Sequence, residues 1–321
     1  MRRAIAVVLL LALAGCTAPR SVELTGDLVA HDPAIVVGTN GEPWFVYSTG
    51  GVGMDGAIQV RRSDDGRNWE YAGVVWKERP AWIDESIRGV GPLWAPELIE
   101  HDGTWFLYYA ASTFGSNHSA IGLATNTTLD PSDPAYKWVD QGPVLESLTS
   151  DDFNAIDPGI VVDADGVPWM AFGSFWSGIR MVQLEWPSGL RADSAAEPLR
   201  LADRGVPPNA IEAPTIVEHD GGYFLFVSFD SCCQGLNSTY RVAVGRSESV
   251  TGPYLDRDGT PMLAGGGTVL LETEGARIGP GGESASNGYL AYHYYDGDAA
   301  GAPRLAISRI DWDSEGWPLI D

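Results

Sequence analysis

The sequence predicts an all-β fold, a five-bladed β-propeller with four-stranded antiparallel blades around a central channel. Two observations carry this expectation. The 321 residues include 39 glycines and 21 prolines, a composition suited to many short strands joined by turns rather than to long helices. One pattern also recurs five times along the chain.

The first copy reads Asp32-Pro33-Ala34-Ile35-Val36-Val37, then Asn40-Gly41, then Trp44-Phe45-Val46-Tyr47. The second runs from Ala95-Pro96-Glu97 through Asp102-Gly103 to Trp105-Phe106-Leu107-Tyr108. The third runs from Asp157-Pro158-Gly159 through Asp165-Gly166 to Trp169-Met170-Ala171-Phe172. The fourth runs from Ala213-Pro214-Thr215 through Asp220-Gly221 to Tyr223-Phe224-Leu225-Phe226. A weaker fifth reads Gly279-Pro280-Gly281, Asn287-Gly288, Tyr289-Leu290-Ala291-Tyr292. Successive prolines lie 63, 62, 56 and 66 residues apart.

Each copy is a strand opened by proline, an Asn-Gly or Asp-Gly turn, and an aromatic second strand, which is a hairpin signature. Proline at a strand's first position removes no needed donor. A third β-rich stretch follows each hairpin, and a turn and a short run complete four strands per unit. A two-domain β-sandwich is the alternative, but it does not explain five near-equal periods. Trp44, Trp105, Trp169 and Tyr223 fall on second strands and are expected in the blade cores.

The amino terminus reads differently. A basic start, Met1-Arg2-Arg3, precedes an apolar run from Ala4 to Ala14 that is too short to span a bilayer. It ends in Leu13-Ala14-Gly15-Cys16, small residues before a cysteine, as in a bacterial lipobox. The expected organisation is a lipoprotein signal peptide over 1–15, a lipidated Cys16 with a tether over 16–26, and the propeller over 27–321. The protein is then exported, as a cell-surface lipoprotein or an extracellular protein, and meets the membrane only through lipid. Cys232 and Cys233 are adjacent, so they either form a vicinal ring or stay reduced.

Charge narrows the partners. The formal net charge is −23, so a nucleic acid or an anionic membrane surface would be repelled. A neutral substrate is indifferent to that field.

In a propeller the first strand of every blade lines the channel. The mouths of those strands here hold His31-Asp32, Trp94, Asp157, Glu212 and Gly279. Three carboxylates, Asp32, Asp157 and Glu212, therefore come from three blades to one pocket. Crowded carboxylates raise one another's pKa, which separates a proton donor from a base, as glycoside hydrolysis requires.

Over residues 27–321 the chain resembles the family 43 glycoside hydrolases, and among them the endo-1,5-α-L-arabinanases. The likeness rests on His31-Asp32-Pro33, Leu93-Trp94-Ala95-Pro96-Glu97, Ser112-Thr113-Phe114-Gly115-Ser116-Asn117, Asn154-Ala155-Ile156-Asp157-Pro158, Phe172-Gly173-Ser174-Phe175-Trp176, Ile211-Glu212-Ala213-Pro214 and Phe229-Asp230-Ser231-Cys232-Cys233. It implies an inverting cleavage of arabinan, with Asp32 as general base, Glu212 as general acid and Asp157 orienting Glu212. Trp94 and Phe114 are expected as sugar platforms, and Asn154 and Ser174 as hydrogen-bonding partners of sugar hydroxyls.

No cofactor is expected for the chemistry. The resemblance implies a calcium ion beside a channel histidine in a Gly-Pro-Gly-His run. Gly279-Pro280-Gly281-Gly282-Glu283 puts glycine at that histidine's place, which weakens the metal expectation. His293, on the following strand, is read as structural. An exo-acting arabinofuranosidase or xylosidase on the same scaffold and a non-catalytic oligosaccharide-binding propeller are the alternatives. The Asn-Asp-Pro-Asn opening of fructan-cleaving propellers is absent. A monomer is expected.

Overall fold

In the computed structural model, residues 21–51 and 57–320 are described. The expected signal peptide and the Cys16 lipidation site lie outside them. Among the described residues, five antiparallel hairpin-based sheets correspond to the sequence repeats, and Asp311–Trp312 pairs with Pro318–Leu319 in a small sixth sheet. Blade one comprises Ala34–Val36, Trp44–Ser48, Gln59–Ser63 and Asn68–Val74. Blade two comprises Trp94–His101, Thr104–Ala111, Ser119–Asn126 and Val139–Ser147. Blade three has Gly159–Val162, Pro168–Phe172, Ile179–Glu185 and Leu199–Ala202, and blade four has Ile211–His219, Gly222–Phe229, Arg241–Ser247 and Thr268–Leu271. Blade five has Arg277–Ser286, Tyr289–Asp296 and Ala302–Arg309.

Blade five departs from the expected four strands of its own repeat. Residues 22–28 lie along its outer strand: the Val22 amide donates to the Ile307 carbonyl, and the Leu305 amide to the Leu28 carbonyl, both at 2.8 Å. Thr25–Gly26 then pairs in parallel with Asn68–Trp69 of blade one. Residues 21–26, expected in the tether, thus join the last blade to the first. The pairing satisfies two strand edges that would otherwise stay open.

The core lies between blades rather than within one. Five apolar clusters each join two neighbours. Leu107 and Tyr109 of blade two face Tyr47 and Val60 of blade one, while Phe106 and Tyr108 face Met170 and Phe172 of blade three. Leu225 and Val227 pack toward blade three, and Phe224 and Phe226 toward blade five. Alternate side chains of one strand point to opposite faces. A strand covered on both faces therefore reads as a continuous apolar run, as Tyr223-Phe224-Leu225-Phe226-Val227 does. Trp44, Trp105, Trp169 and Tyr223 all pack in these interblade clusters.

Candidate active site

The channel mouth is built from one backbone feature repeated five times. Asp32 (φ 48°), Ala95 (φ 37°), Asp157 (φ 56°), Ala213 (φ 52°) and Gly282 (φ 64°) all take left-handed backbone conformations. They line one cavity of about 20 Å³ with Pro33, Pro96, Pro158, Pro214 and Glu283. Four of the five carry a Cβ, in a region that costs about 1–2 kcal/mol for such residues. Strain of this kind, held by surrounding packing, clusters at functional sites.

The fifth position corrects the sequence reading. Gly282, not Gly279, is the blade-five counterpart of Asp32, and Glu283 stands where the other blades have proline. Gly279-Pro280 imitates the repeat, but two register shifts, between Ile278 and Gly281 and between Gly281 and Ser284, carry the strand three residues further before it reaches the channel.

Asp32, Asp157 and Glu212 converge as expected. Glu212 precedes left-handed Ala213, as Trp94 precedes Ala95. Asp157 Oδ2 accepts the Ala213 amide at 3.1 Å, so it fixes the backbone that carries Glu212. Ser174 Oγ donates to Glu212 Oε2 at 2.5 Å, and the Tyr240 hydroxyl donates to Glu212 Oε1. Asp32 Oδ2 accepts from Thr49 Oγ1 at 2.6 Å and from His31 Nδ1 at 2.8 Å. Thr49 Oγ1 also accepts the Ala95 amide of blade two at 2.9 Å.

These surroundings push the carboxyls apart. Burial alone would raise Asp32, but His31 and the Thr49 hydroxyl hold it well below the usual carboxylate range. Burial raises Glu212 to about 7; the Ser174 hydrogen bond opposes the rise and the Asp32 charge adds to it. Asp157 is also pushed well up, first by burial and then by Glu212 and Asp32. Near neutral pH the site therefore holds an ionised Asp32 opposite a proton-bearing Asp157/Glu212 pair.

The other expected site residues take different places. Trp94 is half-buried at the channel mouth, in register with Glu212. Phe114 is 84% exposed in the loop between the second and third strands of blade two. Ser174 is buried against Glu212 rather than open to a sugar, because its loop packs beneath that carboxyl. Asn154 is buried too, and its Oδ1 accepts from Ser119 at 2.7 Å, so this oxygen ties two blades together. Trp176, two residues after Ser174, is 40% exposed at φ 36°.

His293 is a second correction. Rather than serving only the fold, it reaches the site: its Nδ1 accepts the Asp32 amide at 3.1 Å and lies 3.7 Å from Asp32 Oδ1. Its ring stacks on His31 with centroids 3.7 Å apart. Thr49, Tyr240 and Tyr295 were not picked out from the sequence. The alternation His293, Tyr295 on one strand face was the available signal.

The residues do not fit the calcium that the resemblance implies. A Cβ at Gly282 would lie 2.7 Å from both Asp32 Oδ1 and His293 Nδ1, so His293 fills the space a histidine at 282 would need. Among the described residues the one three-donor cluster is His31, Asp32 and His293, with ligand atoms within 4.8 Å of one another. Two imidazoles and one carboxylate do not suit a cation that takes six to eight oxygens.

Known proteins match this arrangement along nearly the whole chain. Residues 25–318 match Glycosyl hydrolases family 43. The extracellular endo-α-(1→5)-L-arabinanase 1 of Bacillus subtilis is 42% identical over 294 residues, 90% of this chain and 86% of that protein. The extracellular exo-α-(1→5)-L-arabinofuranosidase ArbA of Cellvibrio japonicus is 38% identical over 91% of this chain and 86% of its own length. Among solved structures, the GH43 endo-arabinanase from Bacillus licheniformis superposes with a TM-score of 0.86 at 41% identity, covering 93% of this chain and 99% of that one. With three carboxylates on three blades and a match of this extent, the chain belongs to the family 43 glycosyl hydrolases.

Proposed function

We propose that the protein is an inverting, endo-acting glycosidase that hydrolyses α-1,5-linked L-arabinofuranosyl bonds in arabinan. The observation that carries the mechanism is the contrast between Asp32, held by the His31 ring and the Thr49 hydroxyl, and Glu212, buried against Ser174. Asp32, kept ionised by His31 and Thr49, takes a proton from water as that water attacks the anomeric carbon. Glu212, kept protonated by burial, gives its proton to the departing sugar oxygen as the glycosidic bond breaks. Asp157 holds the Ala213 amide and so aims Glu212. One catalytic proton is lost to product and one gained from water, and exchange with solvent resets both groups. Attack from the face opposite the leaving group inverts the anomeric centre.

Substrate choice rests on the relatives, named for α-(1→5)-L-arabinan linkages, and on a net charge to which a neutral glycan is indifferent. Trp94 and Phe114 offer ring faces to the apolar side of furanose units. The three carboxylates come from one chain, which supports a monomer as the working unit. The extracellular relatives and the Met1–Cys16 sequence support export, with Cys16 carrying a lipid anchor.

Chromatography of products from debranched linear arabinan, followed over time, tests the reading. Mixed oligosaccharides at early times are expected. Arabinose alone from the start would assign the exo mode of the Cellvibrio relative, and no products from folded protein would favour a binding role.

A further inference from the structure

Asp32 sits at the end of a chain of contacts that the reaction itself does not explain. His31 Nδ1 meets Asp32 Oδ2 at 2.8 Å. His31 Nε2 meets the Tyr295 hydroxyl at 2.8 Å. That hydroxyl accepts the Cys233 amide at 2.6 Å. Cys233 is disulfide-bonded to Cys232, and its Sγ lies 3.8 Å from His31 Nε2. The chain thus runs from a cysteine pair in blade four, of which Cys233 is exposed, across blade five, to the carboxylate of blade one.

The support is polar at every step and works in either charge state of His31. A neutral ring with its proton on Nδ1 donates to Asp32 and accepts the Tyr295 hydroxyl proton on Nε2. A protonated ring donates at both ends, and the phenol oxygen can accept as well as donate. His31 also stacks on His293, so the ring is held by a face as well as by both nitrogens. The groups facing it are Asp32, His293, Tyr295, Cys233 and, by charge, Glu212. The Cys233 amide is offered from a left-handed residue (φ 64°), a conformation that needs local constraint.

We propose that His31 and Tyr295 are positioning residues for Asp32, and that the Cys232–Cys233 ring is the anchor that sets them through the Cys233 amide. This rests on the reading of Asp32 as general base. The ring spans the single peptide bond between the two cysteines and fixes where the Cys233 amide points. The amide fixes the phenol, the phenol fixes the imidazole, and the imidazole fixes which lone pair of Asp32 faces the attacking water. Positioned bases lose activity steeply when their supporting contacts loosen.

The test is a double-mutant cycle on the full chain with linear arabinan as substrate. Tyr295→Phe keeps the ring packing and removes only the hydroxyl. The paired change Cys232→Ser with Cys233→Ser removes only the cross-link. Each is expected to lower kcat about tenfold with KM changed less than twofold. In the Tyr295→Phe background the serine pair should cost less than a further twofold, because the link it acts through is already cut. Full additivity of the two losses would overturn the proposal. Asparagine at 31 keeps a donor toward Asp32, so His31→Asn should retain several times the kcat of His31→Ala; equal values would also overturn it.

Imidazole ¹⁵N NMR of His31 reads the same linkage without turnover. Its resonances should shift in both Tyr295→Phe and the serine pair. Unchanged His31 signals sink the proposal whatever the substrate is. Retained turnover in Asp32→Asn sinks instead the reading of Asp32 as the base.

Discussion

His293 accepts the Asp32 backbone amide on Nδ1 at 3.1 Å, from a position where its ring also excludes any side chain at Gly282. One imidazole thereby fixes the left-handed backbone of Asp32. Burial keeps His293 itself well below the ordinary histidine range, so it serves as a neutral acceptor across the working pH range.

Gly282→Ala tests that contact. The new methyl meets Asp32 Oδ1 and His293 Nδ1 at 2.7 Å on a left-handed backbone, adding about 1 kcal/mol of strain. Turnover should fall about tenfold or more. Wild-type kcat in this variant would show that the His293–Asp32 packing is dispensable.

The acid assignment predicts a specific loss. Glu212→Gln keeps the size and the contacts of the side chain but cannot deliver a proton. It should lower kcat by about 10²- to 10⁴-fold while oligosaccharide binding, read by calorimetry, stays within a few-fold of wild type. Unimpaired hydrolysis would refute the assignment.

Because Glu212 lies at about 7, kcat/KM should fall as pH rises through that region and the acid is lost. The Ser174 hydrogen bond favours the ionised form. Removing it in Ser174→Ala therefore raises the pKa and moves the basic limb to higher pH. A limb that stays in place or moves down would place the titration on another group.

Two further buried carboxyls in the channel, Glu97 and Glu283, are raised by burial from 4.5 to about 8. Glu283 Oε1 has no hydrogen-bond partner. A folded pKa above the unfolded value means stability fully present below about 4.5 and lost as pH rises through about 8. The melting temperature should decline between pH 6 and pH 9, at about 2 °C per kcal/mol for a chain of this size. Glu283→Gln should flatten that decline; a wild-type melting temperature level across the window would contradict the account.

Much of this was legible in the chain. The five hairpins could be read because each blade repeats one local signal, and Asp32, Asp157 and Glu212 could be read because the repeats put them in register. What escaped depends on contacts between distant strands. The bulges that bring Gly282 rather than Gly279 to the channel are set by pairing with Tyr289–Asp296, and the pairing of residues 21–28 with the last blade spans nearly the whole chain. Ser174 stands in the sequence as a candidate partner of sugar hydroxyls; its burial beneath Glu212 is a property of packing. Thr49 and Tyr240 carried no local signal at all, and His293 looked like any histidine on an aromatic strand.

In the proposed mechanism water attacks under Asp32 while Glu212 protonates the leaving oxygen. Time-resolved ¹H NMR of the first reducing ends released from a linear α-1,5-arabino-oligosaccharide tests it most directly. The β-anomer should appear first and mutarotate later. Initial release of the α-anomer would mean retention through a covalent intermediate and would contradict the roles given to both carboxyls.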